Sequence, residues 1–223
     1  MFIEPRPDLI APNPGGADDP LGESVLDREL PAVRVFVPRD VRVVIGRGQD
    51  PTREVRLDRC RADAIPVHRR VSGGGAVVLA PGMVVVALRL PPGGHDADRL
   101  FGQVNAVLAP AVADCCGVLP RCRGHGDLAL TDADGQERKI LGASLRQNAQ
   151  LAAYLGVFLV EDAVPLMEAY LAHPSREPGY RAGRGHRAFC THLGAHGATA
   201  PALIAALARR LAAGVPDRGC PVR

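Results

Sequence analysis

The stretch Arg69-Arg70-Val71-Ser72-Gly73-Gly74-Gly75-Ala76-Val77 reads as a strand, a glycine turn and a second strand. Consecutive glycines let a backbone approach a ligand closely and point successive N–H groups at an anion, while Arg70 offers a charge-assisted partner for phosphate or carboxylate. The turn is neither a GxxxxGK[ST] phosphate loop nor, between two strands, a GxGxxG dinucleotide turn, and a plain flexible connection has the same composition. Upstream, residues 65–70 predict the entering strand, and the β-branched runs 32–37 and 41–45 predict two more, the second ending at Gly46-Arg47-Gly48-Gln49. Downstream, 76–79 and 83–90 flank Pro81-Gly82 and predict a hairpin.

Further out, Asp96 is placed to cap a helix over 97–116, in which Leu100, Phe101, Val104, Val107, Leu108, Ala111 and Val112 follow the helical period and predict one buried face. Pro110 should kink this helix and Gly117 can end it. After a basic connector, 127–131 and 137–143 face each other across Asp132-Ala133-Asp134-Gly135 as a hairpin. A short helix over 21–30, a strand over 154–160, a helix over 163–172, an arginine-rich loop over 174–191 and a last helix over 201–213 complete the pattern. The sum is an α+β fold, a central mixed or antiparallel sheet flanked by helices. The expected organisation is a flexible arm over 1–20, rich in Pro, Gly and Asp, one main domain over 21–200, and a C-terminal helix and tail over 201–223.

Composition excludes several function classes. With 223 residues, 47% of them hydrophobic and 23% charged, the chain is long enough to bury a core without staples. Tryptophan is absent and aromatics make up 4%, and the net charge of +3 comes from arginines spread along the chain, so no nucleic-acid partner is expected. The longest apolar run, 83–90, is broken at Arg89 and too short for a bilayer, and MFIEPRPDLIAPNPGG is not a signal peptide; no membrane partner and a cytoplasmic location are expected. The six cysteines have no framework spacing, which predicts free thiols, and Cys116, Cys122 and His125 lack a paired zinc-ligand motif.

Of the 27 lysines and arginines, Lys139 alone is lysine. Where charge or solubility suffices the two types often exchange, so a lone lysine suggests a site that needs a compact, flexible ammonium in place of a planar guanidinium. An exposed lysine at a strand edge is the plain alternative. Function is favoured because Lys139 falls in Arg138-Lys139-Ile140-Leu141-Gly142-Ala143-Ser144, on the returning strand of the hairpin that begins at Gly126-Asp127-Leu128, and directly before a Gly-x-Ser that again permits close backbone approach.

Taken in order, Gly46-Arg47-Gly48-Gln49, the RRVSGGGAV segment, the Gly126-Asp127-Leu128 triplet and the segment starting at Lys139 resemble the lipoate-protein ligase family, with its GRxQ loop, RRxSGGGAV turn, NDL-like triplet and KIxGxA-like segment. The likeness runs from about residue 21 to 160 and implies the catalytic fold shared with biotin ligases and octanoyl transferases. The activity implied is ATP-dependent attachment of lipoate or octanoate to a lysine of a carrier, a lipoyl domain or H-protein-like protein, through an acyl-adenylate. Lys139 would be catalytic, bridging the acyl carbonyl and the α-phosphate, where a unit charge at about 4 Å in an effective dielectric of about 20 is worth on the order of 4 kcal/mol. Arg70, Ser72, Gly73, Gly74, Gly75, Ala76 and Val77, with Gly46, Gln49, Asp127, Gly142 and Ser144, would bind substrate and ATP, and Asp127 would stand near magnesium.

Two positions depart from the family pattern: Leu79 stands where a histidine is common, and Gly126 replaces the asparagine of the triplet. Residues 201–223 hold one helix where long-type ligases carry an accessory domain, which implies a short type, or a separate accessory subunit. The basic stretch 174–193 is read equally as a lid or carrier dock and as a solvated loop. The nearest rival is an octanoyl transferase using a carrier thioester and a cysteine. The strand 154–160 offers none, and Cys190 in the arginine-rich loop, near His186 and His192, is the remaining candidate. Biotin ligation ranks below the transferase, and a non-catalytic lipoyl-adenylate binding subunit is the alternative of another class.

Overall fold

The computed structural model describes residues 10–11, 19–92 and 96–215. Its strands are β1 (Ile10–Ala11), β2 (Val33–Phe36), β3 (Arg42–Ile45), β4 (Val67–Arg69), β5 (Val77–Leu79), β6 (Met83–Leu90), β7 (Arg121–Arg123), β8 (Asp127–Thr131), β9 (Glu137–Gln147) and β10 (Ala152–Leu159). The α-helices are α1 (Pro51–Glu54), α2 (Leu57–Ala62), α3 (Ala97–Cys116), α4 (Val164–Tyr170), α5 (His186–Phe189) and α6 (Ala200–Ala212).

The mixed and antiparallel character expected of the sheet divides between two sheets. An antiparallel sheet of six strands runs β2-β6-β10-β9-β8-β7, and a smaller one of four runs β1-β4-β3-β5, with β4 parallel to both its neighbours. Strand β6 is central to the larger sheet and covered on both faces, Val84, Val86 and Leu88 turning to the α3 side and Val85 and Ala87 to the other. That double burial is why its sequence is a continuous apolar run without alternation.

Helix α3 has the bounds its signals predict: the Asp96 side chain accepts from the Arg99 N–H, and Gly117 closes the helix at φ 71°. It runs unbroken through Pro110. Its buried face packs on the larger sheet together with Leu203, Ala206 and Leu207 of α6. A second core, including Val43, Ile45, Val67, Val78, Met83, Met167 and Phe189, joins the smaller sheet to α4 and α5.

Several expectations change. The segments 76–79 and 83–90 are not a hairpin: β5 pairs with β3, and β6 pairs with β2 and β10 in the other sheet. Pro81-Gly82, with Gly82 at φ 85°, carries the chain between sheets, because a turn signal encodes a change of direction and not a pairing partner. The helix expected over 21–30 is one 3-10 turn, Glu23–Leu26; the basic connector contains β7; and the loop 174–191 contains the 3-10 turn Gly179–Arg181 and α5. Cys60, Cys115, Cys116 and Cys190 are free, but Cys122 is disulfide-bonded, against the expectation of free thiols throughout. Most of the expected arm over 1–20 lies outside the described residues. Among the described residues no helix is long and apolar enough to cross a membrane.

Candidate functional site

The glycine turn is built as one unit with the GRGQ loop. Arg69 Nη1 donates to the carbonyls of Gly46, Arg47 and Gln49 at 3.0, 3.0 and 2.8 Å. Arg47 N–H donates to Ser72 O at 2.9 Å, and the Gln49 amide oxygen accepts from Gly46 N–H at 2.8 Å. A Cβ on Gly46 would lie 2.2 Å from Gly74 O, so only glycine allows the two loops to touch. Arg70 is buried behind the turn, its Nε donating to Ser72 Oγ and Gly73 O and its Nη2 to the carbonyls of Gly73 and Gly75 at 2.6 and 2.9 Å. Burial pulls its pKa down to about 10, so it stays charged at neutral pH. As folded, Arg70 braces the turn from within. Gly74, at φ 91°, leaves the room this guanidinium occupies.

The second wall is β9. Opposite β8, Leu128 pairs with Leu141 and Ala129 with Lys139, so Ile140 is one residue too many and forms a bulge. A bulge shifts the side-chain alternation by one, which explains why Lys139, Gly142 and Ser144 line one cleft while Ile140 and Leu141 are both buried. Ser144 Oγ is 2.9 Å from Ser72 Oγ, joining this strand to the glycine turn. Lys139 Nζ lies 2.9 Å from Asp127 Oδ1, and Asp127 Oδ2 accepts from the Tyr180 hydroxyl at 2.9 Å. Gly142 leaves a gap that the lysine fills: an added Cβ would be 2.7 Å from Lys139 Cε and Nζ.

Between these walls is a cleft of about 860 Å³. Of the residues singled out from the sequence, Lys139, Asp127, Arg70, Gly73, Gly74, Gly75, Ala76, Val77, Gln49, Gly142 and Ser144 line it, while Ser72 and Gly46 support it from behind. Apolar residues Leu21, Val44, Leu79, Val85, Leu155 and Val157 line another part. A side chamber of about 100 Å³ adjoins Lys139 and Gly142, walled by Val78, Leu159, Met167, Leu171, Phe189 and Cys190 among others.

Sequence reasoning missed Arg69, Tyr180 and Arg181. The last two belong to the basic stretch it left undecided, which is a packed ledge: Ser175 bonds Glu54, Arg184 donates to Glu137 O at 2.9 Å, and Tyr180 and Phe189 rings lie 5.0 Å apart. Cys190 also sits in this packed region, in a bridge with Lys139, and not in a loop apart from it. Burial raises its thiol pKa, an effect Lys139 and Arg181 oppose. His186 is pulled down to about 4, first by burial and then by Arg181, so it is neutral at physiological pH.

Residues 17–213 match the family model described as the lipoyl protein ligase A/B catalytic domain. The chain belongs to this family.

Solved structures agree in fold with that membership. The bipartite lipoate protein ligase of Thermoplasma acidophilum, described with its E2 lipoyl domain, is similar at TM-score 0.74 and 20% identity over 92% of this chain and 81% of its own. Lipoate-protein ligase A bound with ATP gives 0.71 and 21% over 92% and 83%. A T. acidophilum protein with bound lipoic acid gives 0.68 and 19% over 92% and 83%.

The two departures from the lipoyl ligase pattern have structural accounts. Gly126 is at φ 89° and an added Cβ would lie 2.4 Å from the Phe101 ring, so asparagine does not fit this packing. Leu79 is buried with Leu21, Val44 and Val85, which makes this part of the cleft apolar where a histidine would be polar. Asp127 bonds Lys139 and Tyr180, and among the described residues no three His, Cys, Asp or Glu side chains gather to hold an ion by themselves; a single carboxylate at a nucleotide end fits magnesium held mainly by phosphates.

Proposed function

We propose that this lipoyl ligase domain is an enzyme that attaches lipoate or octanoate to a lysine of a lipoyl-domain or H-protein-like carrier at the expense of ATP. The observation that carries the reading is the meeting of Lys139, far along the chain on β9, with the glycine turn in one cleft, coupled through the 2.9 Å contact of Ser72 and Ser144. Relatives of the same fold have been described with ATP, with lipoic acid and with a lipoyl domain, which supports the same ligands here.

In the first step a carboxylate oxygen of the acid attacks the α-phosphorus and pyrophosphate leaves. In the second, the carrier amine attacks the acyl carbonyl, loses a proton, and AMP leaves. Negative charge grows on oxygen in both, and Lys139, aimed by Asp127, stabilises it. The open space beside Gly73 and Gly75 lets phosphate oxygens approach their N–H groups, and the apolar wall from Leu21 to Leu155 suits a medium acyl chain. Gln49 and Ser144 shape the cleft, and Arg70 keeps the turn in form. Magnesium would be held by the nucleotide phosphates with Asp127 as the nearby carboxylate.

The test is a mass-shift assay with a lipoyl domain, lipoate, ATP and magnesium, omitting each in turn. A carrier gain that needs all components, with AMP and pyrophosphate formed, is expected; no gain with the complete mixture sinks the proposal. One observation favours a second reading, thioester transfer: Cys190 lies in the side chamber beside Lys139. An acyl-thioester on Cys190, activity lost in Cys190→Ser, and transfer from an acyl carrier without AMP would decide for it.

A further inference from the structure

Arg181 has incomplete bonding for a buried charge. It is 5% exposed, and its Nη2 is buried with no hydrogen-bond partner. Its Nε donates to Arg184 O at 2.8 Å and lies 3.4 Å from a Glu177 carboxylate oxygen, and its guanidinium sits 4.8 Å over the Phe189 ring. These contacts fix the base and plane of the group while leaving its Nη2 unused. The residue lines both the cleft and the side chamber, as does Lys139.

Arg53 and Arg176 also line the cleft but are solvent-exposed, and the other buried cations are held by the protein itself. Arg70 also leaves Nη1 unpaired, but its Nε and Nη2 are locked to the turn's own oxygens, and Lys139 is paired with Asp127. His186 at the chamber wall is neutral at physiological pH, so it does not compete for an anion as a second cation. A desolvated guanidinium is the strongest available receiver for a planar or tetrahedral oxyanion, and burying its N–H without an acceptor is tolerated where a ligand supplies one.

We propose that Arg181 is the anion-receiving group of the cleft, its forked end taking a phosphoryl or carboxylate oxygen of the substrate beside Lys139. The proposal rests on the ligase reading and replaces Arg70 by Arg181 as the direct partner of the charged group.

Calorimetric titrations of the full chain separate the two sources of the anion and also separate this proposal from the ligase reading. AMP is compared with adenosine, and octanoate with octanamide, for the wild type and Arg181→Gln. The expected result is about a ten- to a hundredfold loss of affinity for AMP, octanoate or both, with the uncharged counterparts unchanged. Loss confined to AMP assigns the phosphoryl oxygen, and loss confined to octanoate the carboxylate. Equal losses for charged and uncharged probes, or no loss, overturn the proposal while leaving the ligase reading in place. Wild-type protein binding none of the four overturns both. If Arg181→Gln does not fold, Arg181→Lys, which keeps charge but lacks the fork, is titrated in its place with the same criteria.

Discussion

At the scale of single residues, Lys139 carries the sharpest expectation. Its ammonium fits the gap above Gly142 and reaches Asp127 at 2.9 Å, a place a broad planar guanidinium cannot share. Lys139→Arg should therefore lose turnover nearly as fully as Lys139→Ala, by roughly 100- to 1000-fold, and a variant that keeps more than a tenth of wild-type rate would remove Lys139 from catalysis. Tyr180 is argued to act through Asp127 on the lysine, so it is a positioning residue. Because the chain has one lysine, side-chain labelling gives one resonance that reports on Lys139. Tyr180→Phe, which keeps the ring against Phe189, should move that resonance and lower kcat about tenfold with KM little changed. An unmoved resonance with normal kcat would leave Tyr180 a packing role alone. The lone lysine was legible in the sequence as a chemical signal, but Tyr180, which bonds the lysine's partner Asp127 from a segment far along the chain, was not.

At the scale of elements, the bulge in β9 and the junction of two loops decide the site's shape. The family likeness put Lys139 and Gly142 in one site, although residues three apart in a regular strand face opposite ways. Ile140 resolves this by being extra. At the loop junction, Gly46→Ala would press a methyl group into the Gly74 carbonyl, and neither backbone can yield cheaply. The expected outcome is a stability loss of about 1–3 kcal/mol in urea unfolding together with weaker nucleotide binding. Unchanged stability and binding would show that the two loops do not depend on each other. The false hairpin over 76–90 belongs to this scale as well: both strands exist where their patterns put them, and only their partners differ.

At the scale of the whole molecule, the ledge carrying Tyr180, Arg181 and His186 closes one side of the cleft and gives the protein a pH dependence. His186 is held near 4, below its ordinary 6.5, so between these values the unfolded chain binds more protons than the folded one. Its contribution is fully present above about pH 6.5 and is lost as pH falls toward 4. Urea unfolding across pH 4 to 7 should show that decline, and His186→Asn should flatten it; an equal slope in the variant would assign the dependence to other groups. The sequence by itself determined the α+β class, the span of α3 with both its caps and the hairpin bearing Lys139, because caps, periodicity and glycine turns are local signals read within a few residues, and its likeness to the family named a part of the residues that line the cleft. Only the tertiary structure decided that the strands sort into two sheets, that Arg70 turns inward to brace its own loop, that Cys190 and Arg181 stand beside Lys139, and that Asp127 answers to both Lys139 and Tyr180. Each of those facts joins residues distant along the chain, and such pairings are set by which buried faces and hydrogen-bonding groups can be satisfied together, a condition no local pattern records.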